Sequence, residues 1–180
     1  MRAPSIRPTS LDELYQLFDE PAPGARLIDP GGVPQPEQRL LAHENHMTVT
    51  LENFHDTKVT LEVLDTRRAD HLYARKILLR HGTTGKVVQY GIMQFNFRHC
   101  SDAVRDEILE QGTPLGRILI AHGLLRRIST HALLELQPND EIEAALETTQ
   151  PVYGRLATIF CDEEPAVALL EVVSPPPSRV

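Results

Sequence analysis

Two long runs of alternating side chains, residues 71–81 and 86–97, flank Gly82-Thr83-Thr84-Gly85, and this arrangement constrains the fold more than any other feature of the sequence. A period of two is the signature of a strand with two unlike faces, and a four-residue connection bounded by glycines has hairpin length, so the runs should pair antiparallel. Thr57 to Asp65 alternates Val59, Leu61 and Val63 against Lys58, Thr60 and Glu62. Ser129 to Gln137 does the same with Ala132, Leu134 and Leu136, and Val152 to Cys161 faces Ala166 to Val173 across Asp162-Glu163-Glu164-Pro165. About six strands joined mainly by hairpins, with no βαβ alternation, predict an α+β fold. Its single antiparallel sheet would carry helices on its edges and one face.

The helices are short. Ser10-Leu11-Asp12-Glu13 reads as a capping box opening a helix to about Asp19. Pro21 to Pro36, with Pro-Ala-Pro-Gly and Asp-Pro-Gly-Gly, is expected to be loop. A helical turn or two is expected over Gln35 to His43, then a helix capped by Thr48 that presents Leu51 and Phe54. Further helices are expected from Ser101 to Gln111, from Thr113-Pro114 to Gly123, and from Asp140 to Glu147. The chain therefore divides into an N-terminal helix and Pro/Gly-rich loop (1–35), a folded domain (36–175) and a loose tail (176–180).

With 180 residues, 41% of them apolar, the chain suits one domain with a real core. Its formal charge is −7 and Lys and Arg form no run, which argues against nucleic acid and anionic membranes as partners. No apolar stretch is long enough for a signal peptide or a bilayer span, so a cytoplasmic location is expected. Cys100 and Cys161 read as ordinary reduced thiols.

Period two places Arg75 on the same strand face as Tyr73, Ile77 and Leu79, which points a guanidinium inward. A buried guanidinium needs an anion, and its planar fork suits a carboxylate, either from the protein or from a ligand. Glu171 lies in Val167-Ala168-Leu169-Leu170-Glu171-Val172-Val173, apolar on both faces, so its carboxyl should be desolvated and its pKa raised unless a cation stands close. It could then donate a proton, or it could simply be the structural partner of Arg75. The start of the Thr113-Pro114-Leu115-Gly116 helix offers free N–H groups, with Gly116 allowing close approach of a ligand. His122 falls on the buried face of that helix and reads as a core histidine. His43-Glu44-Asn45-His46 lacks the spacing of a metal site, and no metal is expected.

Four segments in order resemble the chorismate lyase superfamily, whose enzymes release pyruvate from chorismate to leave 4-hydroxybenzoate. They are His46-Met47-Thr48, then Arg75-Lys76-Ile77-Leu78-Leu79 before the Gly turn, Thr113-Pro114-Leu115-Gly116-Arg117-Ile118-Leu119, and Tyr153-Gly154-Arg155 leading to Leu169-Leu170-Glu171-Val172-Val173-Ser174-Pro175. The resemblance spans about Leu40 to Pro175. It implies a six-stranded antiparallel sheet with helical flaps over an internal pocket, Arg75 as carboxylate-binding arginine, Glu171 as the acid at the other end of the ligand, and backbone contacts from Met47 and Leu115. No cofactor is implied. A second inward arginine of the family's lyases aligns with Ile92, and Gln94, two residues on, would offer hydrogen bonds without charge. The resemblance thus implies a carbon–oxygen lyase acting on chorismate or another enolpyruvyl carboxylate to give a hydroxybenzoate. The alternative is a non-catalytic module binding a small aromatic carboxylate on the same fold, as in the effector domains of some transcription regulators. Against a regulator, the short acidic N-terminus leaves no room for a DNA-binding domain. An enzyme on an unrelated small aromatic acid is the third reading. A closed pocket needs no second subunit, so a monomer or weak oligomer is expected.

Overall fold

The computed structural model describes residues 10–177, and at 125 and 126 the backbone alone. Its strands are β1 (Ala25–Leu27), β2 (Val59–Ala69), β3 (Leu72–His81), β4 (Val87–Asn96), β5 (Leu125–Leu136), β6 (Val152–Cys161) and β7 (Glu164–Val173). All neighbours pair antiparallel in a single sheet of order β1-β5-β6-β7-β4-β3-β2. The expected α+β class stands, with seven strands in place of about six. The seventh, β1, lies in the stretch read as loop: it pairs with the end of β5 through Ala25↔Leu136 to Leu27↔Leu134. All three of its residues are exposed, so it carries no burial pattern to read.

The helices are α1 (Leu11–Gln16), α2 (Glu37–Leu41), α3 (Met47–His55), α4 (Asp102–Leu109), α5 (Leu115–Ala121) and α6 (Asp140–Leu146). They cover both faces of the sheet, where one face was expected. On one face α1 and α6 bury Leu14, Tyr15, Ile142 and Leu146 against Ala74, Leu78, Tyr90, Leu170 and Val172. Residues 11–18 are therefore built into the same core as the sheet. On the other face α4 and α5 pack Ile108, Ile118 and Leu119 on Tyr73, Met93 and Leu169, while α2 and α3 pack Leu41, Met47 and Leu51 on Ile77, Leu79 and Val173.

Capping separates these helices into two kinds. Ser10 and Glu13 close the expected capping box, Ser101 accepts from the Val104 amide at 3.4 Å, and Asn139 accepts from the Ile142 amide at 3.0 Å. Helices α3 and α5 begin at His46 and Pro114 with no side-chain cap. Thr48 and Thr113, expected as caps, lie one or two residues off that position: Thr48 is the second residue of α3, and Pro114 rather than Thr113 is the N-cap of α5. At the far end of α5, Gly123 adopts φ +62 as the terminating residue.

Candidate functional site

Between β3, β4 and β7 below and the first turns of α3 and α5 above lies a cavity of about 60 Å³. Strand alternation decides which side chains reach it. In β3, Arg75 shares its face with Ile77 and Leu79, all three lining the cavity, while Lys76 faces the opposite side. In β7 the lining includes Leu169 and Glu171. The roof contributes His46, Met47, Leu115 and Gly116.

Arg75 is 1% exposed. Its Nη1 donates to the Ile108 carbonyl at 3.4 Å, its Nε has no partner, and no carboxylate among the described residues pairs with it. Burial holds its pKa below the ordinary arginine value, with the Tyr73 hydroxyl acting in the other direction.

Glu171, 8% exposed, does not touch Arg75. Its Oε2 accepts from Arg155 Nε at 2.6 Å. The fully buried Arg155 also donates to the carbonyls of His43 at 2.7 Å and Asn45 at 3.1 Å, so one guanidinium ties the segment between α2 and α3 to the sheet. The cation standing beside Glu171 is therefore Arg155. Its inward position follows from the same alternation that revealed Arg75, since it shares a face of β6 with Ala157 and Ile159.

The two histidines of that segment have distinct environments. The Asn45 amide donates to His43 Nδ1 at 3.0 Å, which leaves Nε2 as the protonated nitrogen facing the Leu40 carbonyl at 2.7 Å. Burial and the charge of Arg155 lower the His43 pKa. His46 lines the cavity with its Nε2 unpaired, and burial lowers its pKa too.

Met47, Leu115 and Gly116 all line the cavity, but Gly116 serves a different neighbour from the one expected. A Cβ there would stand 3.0 Å from Thr48 Oγ1 and 3.2 Å from His46 Nδ1, so its bareness lets α5 meet the start of α3. Gln94 does not line the cavity. It pairs with Ala74 and Ala168, which face α1 and α6 on the other side of the sheet, and the Ile92 side chain belongs to that same core. The cause is a register shift. Next to the turn Arg80 pairs with Val87, and continuing that register would set Ile92 opposite Arg75. The irregularity between Leu79 and Arg80 admits one extra residue, so Met93 opposes Arg75 and the cavity face of β4 carries Gln89, Gly91 and Met93. Gln89 is the cavity's amide. His122 also departs from expectation: it is exposed at the end of α5 and bonds Glu107 at 2.6 Å.

Among the described residues no group of three His, Cys, Asp or Glu side chains could hold a metal ion, and no helix is long and apolar enough to cross a membrane. Chemically the cavity offers one unbalanced positive charge, an amide, an imidazole and apolar walls.

The sequence matches no protein-family model and no curated protein. Solved structures do share the shape. The effector domain of PhnF from Mycobacterium smegmatis superposes with TM-score 0.56 at 11% identity, over 72% of this chain and 88% of that one. Longer PhnF from the same organism gives 0.55 at 10% identity, and this chain spans 64% of its length. A putative regulator from Escherichia coli CFT073 gives 0.51 at 14% identity, over 66% of this chain and 98% of that one. The ligand-binding domain of a putative GntR-family transcriptional regulator from Bordetella bronchiseptica gives 0.50 at 12% identity, over 64% and 85%. Since these neighbours include transcriptional regulators, the expectation of no nucleic-acid partner gains no support from them. In fold, then, this chain is similar to the effector domain of PhnF and to the ligand-binding domain of a putative GntR-family transcriptional regulator.

Proposed function

We propose that the chain is a non-catalytic module that takes a small organic anion, an aromatic carboxylate, into this cavity with Arg75 as its countercharge. The observation that carries the reading is the guanidinium itself: 1% exposed, with no acidic partner among the described residues. An unpaired buried charge costs several kcal/mol in general, so a fold that keeps one needs a return for it. A ligand carboxylate supplies that return with two-point geometry. The regulator domains that share the fold support binding over turnover.

The lyase reading is weaker on the residues. Glu171, its proton donor, is already the acceptor in an ion pair with Arg155, and the position given to a second arginine is an isoleucine whose side chain lies on the other face. In the proposed reading Glu171 orients Arg155 and so holds the roof, while Met47, Leu115 and Gly116 shape the space above the guest. The countercharge is a side chain, so no metal or cofactor is needed. The reading calls on residues of one chain only, and a cytoplasmic monomer is the setting it assumes.

The cavity of about 60 Å³ has room for waters. It falls short of the roughly 150 Å³ that takes benzene in an apolar protein interior, so a ring-sized guest requires α3 and α5 to yield outward. Thermal denaturation tests the reading directly. Benzoate or 4-hydroxybenzoate at a hundred times its Kd should add about 2.7 kcal/mol, which for a chain of this size is roughly 5–10 °C in Tm. Arg75→Met should erase that shift. Pyruvate appearing from chorismate in proportion to protein would restore the lyase, and an undiminished shift in Arg75→Met would remove Arg75 from the site.

A further inference from the structure

Arg75 is held from one side. Its Nη1 reaches the carbonyl of Ile108, in the last turn of α4, at 3.4 Å, while its Nε has no partner among the described residues. Two residues back on the same face of β3 stands Tyr73, 2% exposed, with its ring stacked on Phe97 at 5.6 Å and its hydroxyl beside the guanidinium. That hydroxyl accepts from Gln111 Nε2 at 3.3 Å. Gln111 is exposed, in the turn between α4 and α5, so a single phenol joins the sealed cation to the surface. The backbone of Gln111 is left-handed, at φ +59, just past the end of α4 where glycine is the usual residue. A glycine does follow, but at 112, with open space around it. The chain keeps a side chain at the position that disfavours one and sets its glycine next door. The bond to Tyr73 is what that side chain provides.

From this we infer that Tyr73 and Gln111 are the positioning residues of the anion site, fixing the guanidinium of Arg75 from behind so that its Nε edge meets an incoming carboxylate already oriented. The inference rests on the anion reading of Arg75. Arg26 shows the pairing such an edge can make, since its Nε and Nη2 each donate to the Glu135 carboxylate at 2.9 Å. A carboxylate paired side-on with Arg75 in the same way leaves the Nη1 bond to Ile108 in place. Two-point pairing requires the guanidinium plane to stay put at the end of a stem with several rotatable bonds. A plane held before the guest arrives spares that ordering cost on binding. An exposed turn thus sets the affinity of an enclosed site.

Calorimetric titration of the whole chain with benzoate tests this. Gln111→Gly removes the side chain and relieves the backbone, so its Tm without ligand should stay near the wild type's while benzoate binds about fivefold more weakly. Tyr73→Phe should weaken benzoate at least as much. The double variant should bind no more weakly than Tyr73→Phe alone, because Gln111 acts only through that hydroxyl. A bond that merely finished the end of α4 would change Tm and leave affinity alone. A folded Gln111→Gly that binds benzoate within about twofold of the wild type overturns the inference, as do losses that multiply in the double variant. If the wild type does not bind benzoate, or Arg75→Met binds it equally well, the anion reading has failed, and the inference with it.

Discussion

Arg75 and Lys76 are consecutive residues of β3, both essentially sealed from solvent, and the sheet sends them to opposite faces with opposite fates. Lys76 Nζ lies 2.5 Å from Glu20 and 3.1 Å from Glu141, with the rings of Phe18 and Tyr15 at 5.1 and 5.6 Å. Tyr90 adds a bond to Glu141 at 2.6 Å. Two carboxylates and two aromatic faces leave that ammonium no unmet demand, so it fastens α1 and α6 to the sheet. Arg75, one residue earlier, has a distant carbonyl and the Tyr73 hydroxyl, and no carboxylate among the described residues. The pair shows that burial of a cation alone says little. What separates a fastening from a binding site is whether the protein has already supplied the anion.

The contrast can be broken by experiment. The largest effect should come from removing the anions around Lys76: Glu20→Gln combined with Glu141→Gln leaves a buried ammonium without countercharge. Urea unfolding should lose about 3 kcal/mol. A loss under 1 kcal/mol would mean that this face is not fastened by charge. A smaller effect of opposite sign is expected from Arg75→Met without ligand. It removes an unpaired charge, and the Ile108 carbonyl keeps its bond from the Gln111 amide at 3.2 Å. Stability should rise by about 1 kcal/mol, whereas a clear fall would show that Arg75 has a structural partner after all.

The smallest effect concerns the segment tied down by Arg155. The folded-state pKa of His43 is lowered, so the unfolded chain takes up the proton first. The stability tied to neutral His43 is present above the unfolded value of about 6.5 and declines as pH falls toward the folded value. The groups facing this ring are Arg155, Glu171, the Leu40 carbonyl and the Asn45 amide. Tm should therefore drop between pH 7.5 and 5, and His43→Gln should make the drop shallower. His46 and His55, also lowered, keep it from vanishing. An identical slope in the variant would clear His43 of the role.

How much of this the sequence disclosed depended on whether a residue's neighbours alternate. The hairpin of β3 and β4, the strands β6 and β7 and the capping box of α1 were legible because each has a local signature. So was the inward turn of Arg75. Arg155 carried the same signature, in a strand whose neighbours Ala157 and Ile159 share its face, yet it was read only as part of a family motif. β1 was illegible: three exposed residues at a sheet edge obey no period. Gln94 was misplaced in favour of Gln89 because it was set two residues on from Ile92, the position aligned with the family's second arginine, and the ladder turns both Ile92 and Gln94 to the face opposite Arg75. His122 followed the helical period up to the point where the helix ends, and there the period no longer applies.

The meeting of α3 and α5, both uncapped, at Gly116 has a consequence for how the roof of the cavity is held. With only a hydrogen at that position, the backbone of α5 comes within reach of Thr48 and His46, and one added methyl, 3.0 Å from Thr48 Oγ1 and 3.2 Å from His46 Nδ1, would press the two helices apart. The two helix starts that roof the cavity are thus in contact through the one position that has no side chain. A substitution at Gly116 therefore acts on the spacing of two short segments that no end-capping side chain braces.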